Sequence, residues 1–178
     1  AMEDLPKNKS LGRILNYFHS QQKTTAAICH GPAALLSARN EDGSWIYNDY
    51  KMTVFSTAEE KQEENIGALN GHVLFYVQDE FQHLGGLVHV EIPWSANVIK
   101  DRELITAQNP MSDKLLAPLF LQSLIENIWV NRLSSQSQEI ELEPFSPSAE
   151  NVTTLFVGLK KASFTGKLSN RLVSHVEL

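Results

Sequence analysis

The sequence predicts an α/β fold, a doubly wound and mainly parallel sheet sandwiched by helices, and three observations lead there. Amphipathic helical stripes alternate along the chain with short runs of β-branched and small apolar residues. One run, Thr24-Thr25-Ala26-Ala27-Ile28, shows no polar alternation, as expected of a parallel strand buried on both faces. It passes through Cys29 directly into His30-Gly31-Pro32-Ala33-Ala34-Leu35-Leu36, which reads as a helix opening, because proline fits a first turn and alanine and leucine propagate well.

The elements follow in order. Leu11, Ile14, Leu15 and Phe18 form one stripe, with Asn16, His19 and Gln21 around it, which predicts a surface helix over residues 11–21. The strand at 24–28 ends at Cys29, placing that residue on a strand-to-helix corner. Residues 51–56 read as a further strand, and the charged run 59–64 either starts a helix or coats a loop. Val73, Leu74, Tyr76, Val77 and Phe81 give a helical stripe that stops at Gly85-Gly86. Residues 87–90 are strand-like, and 98–106 read as two short strands joined by a polar turn. Leu115, Leu116, Leu119, Phe120, Leu124, Ile125 and Ile128 mark the last clear helix, kinked at Pro118 or starting later than Ser112.

Beyond residue 133 the composition shifts. Ser134-Ser135-Gln136-Ser137-Gln138 and Pro144-Phe145-Ser146-Pro147-Ser148 read as linker, which divides the chain into a domain over 1–133 and an extension over 134–178. The extension holds one strand candidate, 152–157, and a basic amphipathic stretch, 160–173. That is too little for a core of its own, so it is expected to dock on the main domain or on a second subunit.

Composition narrows the function. Fifteen Lys and Arg against twenty-one Asp and Glu, a net charge of −6, argue against a partner gripped through phosphates, so no nucleic acid is expected. No apolar run approaches the roughly 20 residues of a membrane span, and no basic leader precedes an apolar stretch, so a cytoplasmic protein without membrane association is expected. The single cysteine, Cys29, excludes an intrachain disulfide and leaves two roles, a small buried hydrophobe or a reactive thiol. His19, His72, His83, His89 and His175 form no pattern with zinc spacing, and no Gly-x-Gly-x-x-Gly loop is present; neither a metal nor a cofactor is expected. His72, after Gly71, reads as capping or structural. Trp45 and Trp94 line a substrate mouth or simply pack.

A nucleophile on a sharp strand-to-helix turn is lifted above the sheet, and the backbone N–H groups that follow it, here of His30 and Gly31, can receive an oxyanion. The same position and a neighbouring imidazole favour the ionised sulfur. Residues 26–34, Ala-Ala-Ile-Cys-His-Gly-Pro-Ala-Ala, resemble the nucleophile elbow of the PfpI/ThiJ superfamily, a branch of the flavodoxin-like, class I glutamine-amidotransferase-like fold. The resemblance continues through Phe55-Ser56-Thr57-Ala58-Glu59-Glu60-Lys61-Gln62, Gly71-His72, Tyr76, Glu80, residues 99–106 and Asn109-Pro110, in the order of the stress-chaperone and glyoxalase III-like members. It implies Cys29 as nucleophile, His30 as base and Glu60 as the carboxylate that orients it, with Glu59 as the second choice for that place. It implies, too, conversion of a 2-oxoaldehyde such as methylglyoxal to a 2-hydroxy acid. The same residues would serve a cysteine peptidase or amidase, whose substrate is a peptide or amide, and the third possibility is a holdase or redox-stress protein without catalysis.

Relative to that superfamily, the opening strands and a Gly-Gly-His-Gly type loop are missing, so the chain is expected to be truncated at its N-terminus and weak or inactive as an enzyme. A sheet without its first strands exposes an edge and a helix face, which predicts a homodimer or higher homo-oligomer; strand 152–157 is a candidate cover for the edge.

Overall fold

The computed structural model describes residues 2–68 and 71–136. The chain divides into two units, residues 1–125 and 126–178, and of the second only residues 126–136 are described. The strand expected at 152–157, the stretch 160–173 and the linker 137–148 lie outside the described residues.

Helix α1 (Lys9–Ser20) begins where the Asn8 side chain accepts the amides of Ser10 and Leu11, both at 3.0 Å. Its buried residues are Gly12 and Leu15. Gly12 lies so close to the Ser37 carbonyl that any Cβ there would collide with backbone, so glycine is what allows α1 to pack on residues 31–37. Strand β1 (Thr25–Ile28) pairs in parallel with β5 (Leu104–Ala107), Thr25 opposite Leu104 and Ile28 opposite Ala107. Strand β4 (Val98–Asp101) pairs antiparallel on the other side of β5, forming the expected hairpin through Arg102 at φ 56°. β2 (Lys51–Met52) and β3 (Leu87–Val88) form a second parallel pair.

The α/β fold with parallel pairing is therefore as the sequence indicates, with differences in extent. β5, the central strand, is buried throughout, whereas β1 is only half-buried at every position, because it is an edge of the described three-stranded sheet. The strand expected over 51–56 keeps a ladder only at Lys51–Met52. Beyond it the Thr53 amide goes to the Thr106 hydroxyl at 2.8 Å and the Phe55 amide to the Cys29 carbonyl at 3.1 Å, so the backbone is satisfied without a ladder. Helix α3 (Val77–His83) starts later than its apolar stripe. Glu64 accepts the Val73 amide at 2.9 Å and the Tyr76 hydroxyl at 3.1 Å, which holds residues 73–76 as a loop. His72 is largely exposed beside Glu64, at 3.1 Å, and is not the cap of α3, whose N-cap is Tyr76.

The core gathers Leu35, Trp45, Tyr47, Tyr50, Met52, Val54, Phe81 and Leu104. Trp45 belongs to it rather than to a substrate mouth: its indole N–H donates to the Leu35 carbonyl at 2.8 Å and its ring packs on Phe81. Helix α4 (Asp113–Gln136) starts directly after Ser112, carries Pro118 in its second turn, and extends through Ser134-Ser135-Gln136, where the composition suggested linker. Its apolar stripe is only partly covered: Leu116, Leu119 and Phe120 are half-buried, whereas Leu115, Leu124, Ile125 and Ile128 are each more than one-third exposed.

Candidate active site

Cys29 sits at the carboxyl end of β1, the end at which open parallel sheets place their sites. Its φ is +61°, a left-handed conformation that costs an L-residue with a side chain roughly 1–2 kcal/mol. Two backbone bonds hold it there: its amide donates to the Ala107 carbonyl at 2.9 Å, and its carbonyl accepts the Phe55 amide. Cys29 as a whole is half-buried.

The segment that follows is a 3₁₀ helix, Gly31–Ser37, not the α-helix expected from its alanines and leucines. Seven residues of i to i+3 bonding leave no α-helical N-terminus to stabilise an anion, so the electrostatics of the corner rest on side chains. Because the Cys29 amide is already spent on Ala107, an oxyanion would have to be met by the amides of His30 and Gly31. Gly31 is not sterically required, since a Cβ there would meet only the Ala27 methyl, at 3.8 Å.

His30 turns its Nδ1 to within 3.2 Å of the Cys29 sulfur and its Nε2 to within 2.7 Å of Glu60 Oε2. The hydrogen bond to Cys29 raises the imidazole pKa most; burial opposes it, the Glu60 charge adds to it, and the result is a pKa pushed up to about 9. These neighbours favour the charged form of a ring that lies between a sulfur and a carboxylate. Phe55 packs against it with centroids 4.4 Å apart, and Trp94 meets Phe55 edge-on at 5.7 Å.

The two adjacent glutamates have separate duties. Both open α2 (Thr57–Asn65), whose first turn is closed by a capping box: the Ser56 hydroxyl takes the Glu59 amide and the Glu59 carboxylate takes the Ser56 amide. Glu59 also receives the Trp94 amide at 2.8 Å, Gln108 Nε2 at 3.0 Å and Asn109 Nδ2 at 2.7 Å. Burial alone would raise its pKa, but the bonds from Ser56, the Trp94 amide and Asn109 hold it below the usual carboxylate range. Glu59 is thus committed to the scaffold, and Glu60, one residue on, is the carboxylate at His30.

The structure brings Cys29, His30 and Glu60 into one line, with Gly31 beside them. It also adds Glu63, from the charged run 59–64: one possible ligand atom each from His30, Glu60 and Glu63 lies within 4.8 Å of the others. Glu63 was findable, since residues three apart on a helix share a face. Phe55 was not, because its contact with His30 depends on where the chain after β2 crosses the corner.

Comparison with known proteins gives the family. The description DJ-1/PfpI family matches residues 1–126. The human glutamine amidotransferase-like class 1 domain-containing protein 1 is 38% identical over 112 residues, covering 63% of this chain and 49% of its own. The protein/nucleic acid deglycase HchA of Escherichia coli is 29% identical over 126 residues, covering 70% and 43%. Among solved structures, the 24 kDa rapid encystment protein of Francisella tularensis superposes with a TM-score of 0.62 at 31% identity, over 69% of this chain and 53% of that one. Glyoxalase III of Candida albicans shares the fold, with a TM-score of 0.57 at 21% identity over 68% and 52%. The chain spans about half the length of the curated relatives it matches. The bacterial relative is named a deglycase of protein and nucleic acid, so nucleic acid is a substrate of that relative, whereas net charge speaks only to a grip on phosphates. Among the described residues no helix is long and apolar enough to cross a membrane. With its elbow cysteine, its fold and a match over most of its length, the chain belongs to the DJ-1/PfpI family.

Proposed function

We propose that Cys29, His30 and Glu60 form a cofactor-independent catalytic site for small reactive carbonyl compounds, converting a 2-oxoaldehyde to a 2-hydroxy acid. The observation that carries this reading is the geometry of the line: the sulfur lies 3.2 Å from His30 Nδ1, and the opposite ring nitrogen lies 2.7 Å from Glu60 Oε2. The resemblance to a relative named a deglycase supports the same substrate chemistry, with the carbonyl compound free or attached to a protein or nucleic acid.

The chemistry balances without an external oxidant. The Cys29 thiolate, stabilised by the imidazolium, attacks the aldehyde carbon while His30 Nδ1 gives its proton to the carbonyl oxygen, forming a hemithioacetal. The neutral imidazole then removes the proton from that carbon, and the resulting enediol is reprotonated at the adjacent carbon. The first carbon has been oxidised to a thioester and the second reduced to an alcohol. Water cleaves the thioester, releasing the 2-hydroxy acid and restoring the thiolate. Glu60, accepting the Nε2 proton, keeps the ring oriented and stabilises its charged form in each cycle.

The test is D-lactate formation from methylglyoxal by the full chain. Cys29→Ala is expected to lower the rate at least ~10³-fold. Equal rates in the two proteins overturn the reading, and an acyl-enzyme trapped at Cys29 with a peptide substrate, without lactate, replaces it with a peptidase or amidase.

A further inference from the structure

Among the described residues, one carboxylate oxygen beside the cysteine has no partner. Glu60 is 3% exposed, and while its Oε2 accepts from His30, its Oε1 is buried without a hydrogen bond. A buried unpaired acceptor forfeits its hydration with nothing in return, and buried polar groups are otherwise almost always satisfied. Glu63 follows one turn later on the same face of α2, half-buried, and its carboxylate closes a group of three with Glu60 and His30. Two carboxylates on one face of a helix, one of them desolvated, thus converge with one imidazole nitrogen on a single point.

We propose that His30, Glu60 and Glu63 form a site for a divalent transition-metal ion of the Zn²⁺ type, and that occupancy switches off the chemistry at Cys29. One imidazole nitrogen and two carboxylate oxygens suit Zn²⁺, leaving a fourth position for water, whereas Mg²⁺ and Ca²⁺ take oxygen ligands. The donor atoms lie within 4.8 Å of one another, so side-chain shifts of about an ångström reach metal–ligand distances near 2 Å. Nε2 is the ligating nitrogen, since Nδ1 faces the sulfur. That leaves Nδ1–H donating to Cys29, the kind of outer bond that orients a metal-bound imidazole. Cys29 itself is not a ligand. The ion occupies the place of the Nε2 proton and draws Glu60 into its coordination sphere, so the ring can no longer alternate between imidazolium and imidazole. The binding site stands on geometry alone; its inhibitory effect rests on the carbonyl chemistry proposed above.

The experiment uses Co²⁺ as a visible probe and Zn²⁺ as competitor on the full chain. Expected are one Co²⁺ per chain, a visible absorption of low coordination number, no sulfur-to-cobalt charge-transfer band, and displacement by Zn²⁺. Glu63→Gln weakens Zn²⁺ binding at least about tenfold, and so does Glu60→Gln, whereas Cys29→Ala leaves it within about twofold. No stoichiometric binding, an unchanged affinity in both glutamine variants, or a charge-transfer band lost in Cys29→Ala overturns the site. In the lactate assay the ratio of rates with and without Zn²⁺ is compared within each protein, and inhibition is expected to need about tenfold more Zn²⁺ in Glu63→Gln. Tight Zn²⁺ binding by a protein that forms no lactate sinks the carbonyl reading and keeps the site. Lactate formation unaffected by bound Zn²⁺ sinks the switch.

Discussion

Two histidine–glutamate pairs occupy opposite ends of the β1–β5 ladder. His19 Nδ1 lies 2.7 Å from Glu103 Oε1, next to the start of β5, and His30 Nε2 lies 2.7 Å from Glu60 Oε2, past the end of β1. Both imidazoles are 28% exposed and both carboxylates are buried. By distance and burial they are nearly the same pair, and their surroundings separate them. The Tyr50 hydroxyl stands 3.1 Å from each oxygen of Glu103 and 3.2 Å from His19, so that carboxylate is fully engaged. Glu60 keeps a bare oxygen, and the other side of its histidine faces a sulfur on a strained backbone. A short acid–base distance alone therefore does not mark a site; unmet bonding capacity and strain next to a nucleophile do.

The largest effect that separates the pairs is on stability. Glu103→Ala leaves His19 and the Tyr50 hydroxyl without their common acceptor and is expected to cost about 3 kcal/mol, read from the denaturant midpoint, with lactate formation per folded molecule little changed. Glu60→Ala should cost visibly less, because half of that carboxylate is already unpaired. Equal losses would mean that the two pairs are both structural.

The next effect is on rate. Glu60→Gln keeps the volume and removes the charge that supports the imidazolium, and it is expected to lower kcat/KM about 10²-fold while leaving the fold intact. Because the His30 pKa stands at about 9, kcat/KM in the unmodified chain should fall as pH rises through about 9, and this limb should move to lower pH in Glu60→Gln. The sign for stability is the same. A folded-state pKa raised from 6.5 to about 9 contributes stability that is fully present below about 6.5 and lost as pH passes about 9. A pH-independent limb in both proteins would remove His30 from the chemistry.

The candidate site was readable in the sequence to the extent that it is local. Cys29, His30 and Gly31 are consecutive, and their strand-to-turn position follows from the apolar run before them. The choice between Glu59 and Glu60 was open on residues alone, since neighbouring glutamates on a helix differ only in which way the helix faces. The capping box resolves it: Ser56 and Glu59 form its two halves, and the turn of about 100° per residue then sends Glu60 to another side of α2. What stayed hidden is tertiary. Trp45 and Trp94 look alike in a loop, yet one is sealed in the core and the other stands over Phe55 beside the imidazole. The 3₁₀ form of residues 31–37 was equally out of reach, because α1 presses its bare Gly12 backbone against Ser37 there, a contact between segments about twenty-five residues apart.

The smallest effect concerns the strain itself. Cys29 and Arg102 both hold positive φ, +61° and +56°, one beside each histidine–glutamate pair. At Cys29 nothing but the corner requires it, so Cys29→Gly should be more stable than Cys29→Ala by about 1 kcal/mol, after the greater freedom of glycine in the unfolded chain is subtracted. At Arg102 the guanidinium lies 4.0 Å over the Tyr50 ring and its Nε stands 3.6 Å from Asp101, so the side chain offsets its own backbone. Arg102→Gly should then show no gain, the relief of strain being cancelled by the lost stacking. A gain at 102 as large as that at 29 would make both positions ordinary turns, and the strained cysteine would cease to be a sign of function.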